Sequence, residues 1–205
     1  MQKELVFFSF LIQVTAALLS LFYLHKFKSD FYKVLVIILC LTAFIELLGF
    51  NNVKIGKSGE NLYLLYGFLL FNLIPYLYLK VLKIRKKNLL IIILSATFNI
   101  LMLFVLYGSI SLNYLIILGS INSSIYVFQY LRELLMSDKI LNYKKLLSFW
   151  VSVGFLVFYL PSIPFFSMLN YMHTRGLFFV LYILIILMNT FIIYGLLCSK
   201  KEEKF

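Results

Sequence analysis

The chain has 205 residues, of which 63% are hydrophobic, 19% aromatic and 13% charged, with a formal net charge of +11. Soluble domains are about 45–50% apolar, so the few polar residues cannot cover a globular surface, and lipid must serve as solvent for much of the chain. A basic excess points a soluble protein toward nucleic acid. Here the basic residues lie between apolar runs, which argues for topology and contact with anionic lipid and against direct nucleic-acid binding.

Seven apolar runs approach or reach the roughly 17–25 residues that a bilayer core needs. The first covers residues 5–24 and carries Gln13. Its leader, Met1-Gln2-Lys3-Glu4, has no net charge, and no clear small-residue cleavage site follows, so it reads as a retained helix rather than a signal peptide. The second, residues 34–50, carries Cys40 and, about a turn from its end, Glu46. The third, residues 62–79, has Asn72 and then Pro75; the fourth, residues 89–107, has Asn99. The fifth, residues 112–131, has Asn122 and a small-residue face of Gly119, Ser120, Ser123 and Ser124. The sixth, residues 146–169, has Ser148 and Ser152, with Pro161 and Pro164 farther on; the seventh, residues 177–197, has Asn189. Each run must be helical, because in lipid only a helix satisfies its own backbone polar groups. The connectors are too short for a soluble domain. The expected fold is a single all-α domain over residues 1–205, an integral membrane bundle of seven transmembrane helices.

Charge sets the orientation. Lys26, Lys28, Lys33, Lys80, Lys83, Arg85, Lys86, Lys87, Arg132, Lys139, Lys144, Lys145, Lys200, Lys201 and Lys204 fall on one side, 15 of the 19 Lys and Arg. Lys3, Lys54, Lys57 and Arg175 fall on the other. Short loops rich in Lys and Arg stay cytoplasmic, so the N-terminus is expected outside, the C-terminus in the cytoplasm, and the protein in a bacterial inner membrane. Tyr23, Tyr32, Tyr63, Tyr66, Tyr107, Tyr114, Tyr130, Tyr143 and Trp150 lie near run ends, as an interfacial aromatic belt requires.

Inside the runs the polar residues are few. Gln13, Asn72, Asn99, Asn122 and Asn189 lie at similar depth on five of them. Amides facing lipid are costly, so the five are expected to form one polar layer in the bundle interior. They either hydrogen-bond helix to helix or line a hydrated ligand or ion site. Glu46 is the single acid well inside a run, with no Lys, Arg or His at depth to pair with it, and an intramembrane carboxyl is a functional candidate by default. Gly119 and Ser123 allow close helix packing, within one chain or between two copies. Residues 80–87, with Lys80, Lys83, Arg85, Lys86 and Lys87, read as a connector that anchors topology and meets anionic lipid or an acidic partner.

Several chemistries lack their residues. Retinal attachment needs a lysine in the last run, which has none. His25 and His173 lie in connectors on opposite sides and cannot share a metal, and Cys40 and Cys198 form neither a disulfide framework nor a metal spacing. No Ser/His/Asp set is placed to activate a nucleophile, so no enzyme activity, cofactor or metal is expected. Gly56-Lys57-Ser58 ends like a phosphate loop, but the pattern needs glycine where Asn51 stands.

Glu46-Leu47-Leu48-Gly49 closes the second run, and Asn61-Leu62-Tyr63-Leu64-Leu65-Tyr66 opens the third. Phe149-Trp150-Val151 leads to Gly154 and Phe158-Tyr159 on the sixth, with Asn189 and Tyr194 on the seventh. In that order and spacing the chain resembles a poorly characterised family of small bacterial seven-helix membrane proteins. The resemblance implies a seven-helix module without a catalytic domain, a sensor acting with a separate signalling protein. In size and helix content the chain is also similar to small membrane accessory proteins that accompany some RNA-targeting CRISPR effectors. Three functions follow as expectations: a sensor or receptor-like module working through a cytoplasmic partner, a small-solute or ion transporter or channel, and a membrane accessory or effector of a bacterial defence system.

Overall fold

Long apolar stretches in lipid leave the backbone no partner but itself, and the computed structural model, which describes residues 2–55, 59–82, 85–108, 111–169 and 177–199, is helical almost throughout. In chain order the elements are α1 (Gln2–Phe22), a 3-10 turn (Tyr23–His25), α2 (Asp30–Ile55), α3 (Glu60–Leu79), α4 (Arg85–Leu106), α5 (Leu112–Leu135), a 3-10 stretch (Asp138–Lys145), α6 (Leu147–Met168) and α7 (Phe178–Cys198). Each of the seven α-helices is long and apolar enough to cross a membrane.

At several ends the helices overrun the apolar runs, because hydropathy marks the lipid-facing stretch and not the last helical residue. α2 starts at Asp30, four residues before its run, and the Asp30 carboxylate meets Lys33 Nζ at 3.1 Å in the first turn. An acid at a helix N-terminus complements the helix dipole. α5 continues to Leu135 and takes Arg132 into its last turn, where a cation is favoured for the same reason. The basic stretch at residues 80–87 is only partly a connector. Lys80 caps α3, Arg85, Lys86 and Lys87 lie in the first turn of α4, and Lys83 is outside the described residues.

α1 packs on α2, α2 on α3, α3 on α5, α5 on α6, α6 on α7, and α7 back on α1. The result is a ring of six helices. α4 packs on α3 and α5 from outside this ring, and its Ile92, Ile93, Ile100, Leu103 and Phe104 are exposed, as lipid-facing residues should be. We call the end where α1, α3, α5 and α7 begin the N-terminal face and the opposite end the basic face.

Small residues set the closest approaches. A Cβ on Gly195 would lie 2.7 Å from Trp150 Cβ, and one on Gly154 2.8 Å from the Met188 carbonyl oxygen, so α6 and α7 meet at their glycines. A Cβ on Gly119 would lie 2.6 Å from the Phe71 ring, and Ser123 is buried beside it. The small-residue face of α5 is thus packed within the chain, Gly119 against Phe71 of α3 and Ser120 against Ser162 of α6.

Candidate ligand-binding chamber

The five amides do not form one layer. Asn72 Nδ2 donates to Asn99 Oδ1 at 3.2 Å, and Asn99 Nδ2 donates back to Asn72 Oδ1 at 2.9 Å. Asn122 Nδ2 donates to the Leu94 carbonyl at 2.9 Å. All three bonds fasten α4 to α3 and α5. Interhelical bonds of this kind contribute about 0.6–2 kcal/mol each in membranes. They act here as a strap for the helix that has least of its surface buried. Gln13 and Asn189, on the adjacent helices α1 and α7, face inward instead and line a cavity.

That cavity has a volume of 220 Å³, room for about seven waters at about 30 Å³ each. All six ring helices line it and α4 does not. Its walls are mostly apolar and aromatic, with Phe71 from α3, Phe155 and Phe158 from α6, and Met188 from α7. Polar groups enter at separate points: Gln13, Thr42, Glu46, Tyr63, Tyr66, Ser120, Tyr159 and Asn189. Gly67 leaves part of the α3 wall bare, and a Cβ there would meet nothing within 4 Å, although the residue is buried.

A second cavity of 360 Å³ adjoins the first toward the N-terminal face, lined by Phe10, Gly49, Phe50, Phe178 and Tyr182 among others. Glu46, Tyr63, Leu181 and Ile185 line both. The carboxylate thus stands at the neck between an outer vestibule and the inner chamber. Gly49, one turn beyond Glu46 on α2, makes room for the tyrosine at this neck: a Cβ there would sit 2.6 Å from the Tyr63 hydroxyl. No Lys, Arg or His lines either cavity among the described residues.

Three of the hydrogen-bond donors around the chamber are already engaged. Thr42 Oγ1 donates to the Ile38 carbonyl at 2.8 Å, so the 3.1 Å contact between Thr42 and Tyr66 has the tyrosine as donor. Asn189 Nδ2 donates to the Ile185 carbonyl at 2.8 Å. Gln13 is 4% exposed, and its Oε1 is buried with no partner. A buried acceptor left open costs about 1–3 kcal/mol, which is tolerable where a bound molecule fills the vacancy.

Below the chamber the bundle closes. Tyr78 bonds Ser152 at 2.9 Å across α3 and α6, Tyr130 bonds Ser148 at 2.7 Å across α5 and α6, and Tyr32 donates to the Ser20 carbonyl across α2 and α1. Ile74, Leu77, Leu147, Val151, Ile192 and Leu196 pack around them at 0% exposure. The belt expected of the tyrosines is corrected here. Tyr107 and Tyr114 are exposed and fit it, whereas Tyr32 and Tyr130 are buried ties and Tyr66 lines the chamber. Depth along a helix was legible in the spacing, but the direction each side chain faces was not.

No family model, curated protein or solved structure matches the chain. The motifs that closed the sequence analysis have local roles in this structure. Trp150 stacks on Phe191 and meets Tyr194 edge-on at the α6–α7 seam that Gly154 and Gly195 hold close, while Glu46 and Tyr63 form the neck.

Proposed function

We propose that this multi-pass membrane protein is a receptor-like module that binds a small molecule in the chamber and acts through a separate cytoplasmic protein at its basic face. One observation carries the reading: the ring is hollow in its N-terminal half and close-packed in the other. A molecule reaching the chamber through the vestibule finds a polar neck, aromatic walls and a closed floor, the ordinary makeup of a small-molecule pocket. The floor ties helices α1, α2, α3, α5 and α6 by tyrosine hydroxyls, so a ligand that alters their spacing alters the basic face. With the basic face in the cytoplasm, as the charge bias requires, the vestibule opens outward.

The single tryptophan, Trp150, sits at the α6–α7 seam near the basic face and reports on this transmission. In nanodiscs, small amphiphiles that bind the wild-type protein are expected to shift Trp150 emission, and Gly67→Phe, which fills the chamber, is expected to abolish both binding and shift. Binders that leave Trp150 unchanged, and that enter proteoliposomes faster than protein-free vesicles, would overturn the reading in favour of transport.

Transport is the second reading, and the neighbour order favours it. α1–α2–α3 and α5–α6–α7 occupy equivalent places in the ring and meet along α3–α5 and α1–α7, with the chamber between them and α4 outside. Transporters built from parallel repeats hold substrate between two such halves. Asn72 and Asn189 do not support a repeat, since the first faces α4 and the second the chamber.

A further inference from the structure

The chamber's chemistry is lopsided. Its one acidic group is the Glu46 carboxylate at the neck, and Gln13, whose buried Oε1 has no partner, is on the inner wall. Three neighbouring donors are bonded within the protein, Thr42 and Asn189 to backbone carbonyls and Tyr66 to Thr42, while the Tyr63 and Tyr159 hydroxyls also border the space. No cationic side chain among the described residues lines either cavity. A carboxylate withdrawn from water without a counter-charge is costly, and a bound cation removes that cost. The remaining wall is aromatic, with Tyr63, Tyr66, Tyr159, Phe71, Phe155 and Phe158 presented to the space. Such faces attract cations and bury apolar bodies.

We infer that the chamber binds a primary ammonium compound with an apolar or aromatic body. The ammonium has three donors and no acceptor, and it bonds Glu46 and Gln13 Oε1. The body lies along the phenylalanines, in the space that Gly67 leaves free. A metal ion that needs a cluster of His, Cys, Asp or Glu ligands fits poorly, because among the described residues no three such side chains come together. An anion would meet the carboxylate with no compensating charge among the described residues that line the cavities. The inference rests on the chamber being a ligand site and adds the class of ligand.

The test uses tritiated 2-phenylethylamine and tritiated 2-phenylethanol on the full chain in phosphatidylcholine nanodiscs, a neutral lipid surface that does not concentrate the cation. Saturable binding of the amine is expected, at least about tenfold tighter than the alcohol, which is about 1.4 kcal/mol. Glu46→Gln is expected to lose that preference, Glu46→Asp to keep it, and Gln13→Leu to weaken the amine several-fold; Gly67→Phe is expected to block both probes. An unchanged melting midpoint for Glu46→Gln separates loss of the site from loss of the fold, and Gln13→Leu carries the test if that variant does not fold. Equal binding of amine by wild type and Glu46→Gln overturns the proposal. Binding of the alcohol alone, sensitive to Gly67→Phe, overturns the ammonium assignment and leaves the chamber as a ligand site. Binding of neither probe overturns the assignment too, and Trp150 responses to other amphiphiles then judge the broader reading separately.

Discussion

The two halves of the bundle use the same residue types for opposite ends. In the basic half, tyrosines face serines across helix pairs, and Gly195 lets Trp150 press against α7. In the N-terminal half, Tyr63, Tyr66 and Tyr159 border open space, and Gly67 faces a void. Gly195 in the first half is a close-packed contact, whereas Gly67 in the second is a missing wall. Composition is therefore a poor guide to role in a membrane bundle, and the neighbour across the helix decides.

The contrast can be broken most forcefully at Gly195. Gly195→Val forces branched carbons against Trp150 and should lower stability by about 1–3 kcal/mol, the usual cost of overpacking, read as an earlier midpoint in an SDS unfolding titration. A midpoint equal to wild type would mean that the basic half is as loose as the other. Next in size is the strap on α4. Asn72→Leu and Asn99→Leu each leave the partner amide open, and a double-mutant cycle should return a coupling of about 0.6–1.7 kcal/mol. A coupling near zero would show that apolar packing alone seats α4. The smallest effect has the opposite sign. Gly67→Ala adds a methyl group where nothing stands within 4 Å, so the gain in helix propensity, up to about 1 kcal/mol, should appear as a later midpoint. A loss of stability there would mean that the chamber wall is closed.

The seven spans were plain in the sequence because apolar runs of bilayer length have one solution in lipid. Glu46, Gln13 and Asn189 were legible as candidates because polar groups at depth are rare. The division of the amides was not legible. A helix that is apolar on all sides carries no stripe to say which face turns inward, so Asn72, toward α4, and Asn189, toward the chamber, looked equivalent. The same blindness put Tyr32 and Tyr130 in an interfacial belt, whereas both are buried. Gly67 gave no signal, since a glycine in a membrane helix marks a close approach as readily as an empty space.

The seam between α1 and α7 has a consequence for how the protein is made. It joins the first helix of the bundle to the seventh, and Lys26 Nζ reaches the Leu196 carbonyl at 3.4 Å across it, with flanking Tyr23 and Phe27 rings 4.9 Å from the same ammonium. Gln13 and Asn189 come to border a common space only when this seam forms. Six helices inserted in order leave an open crescent with the Gln13 side of α1 turned to lipid or to a chaperone. The pocket is thus the product of a late closure, and a chain halted before α7 has the neck residue Glu46 but no chamber for it to guard.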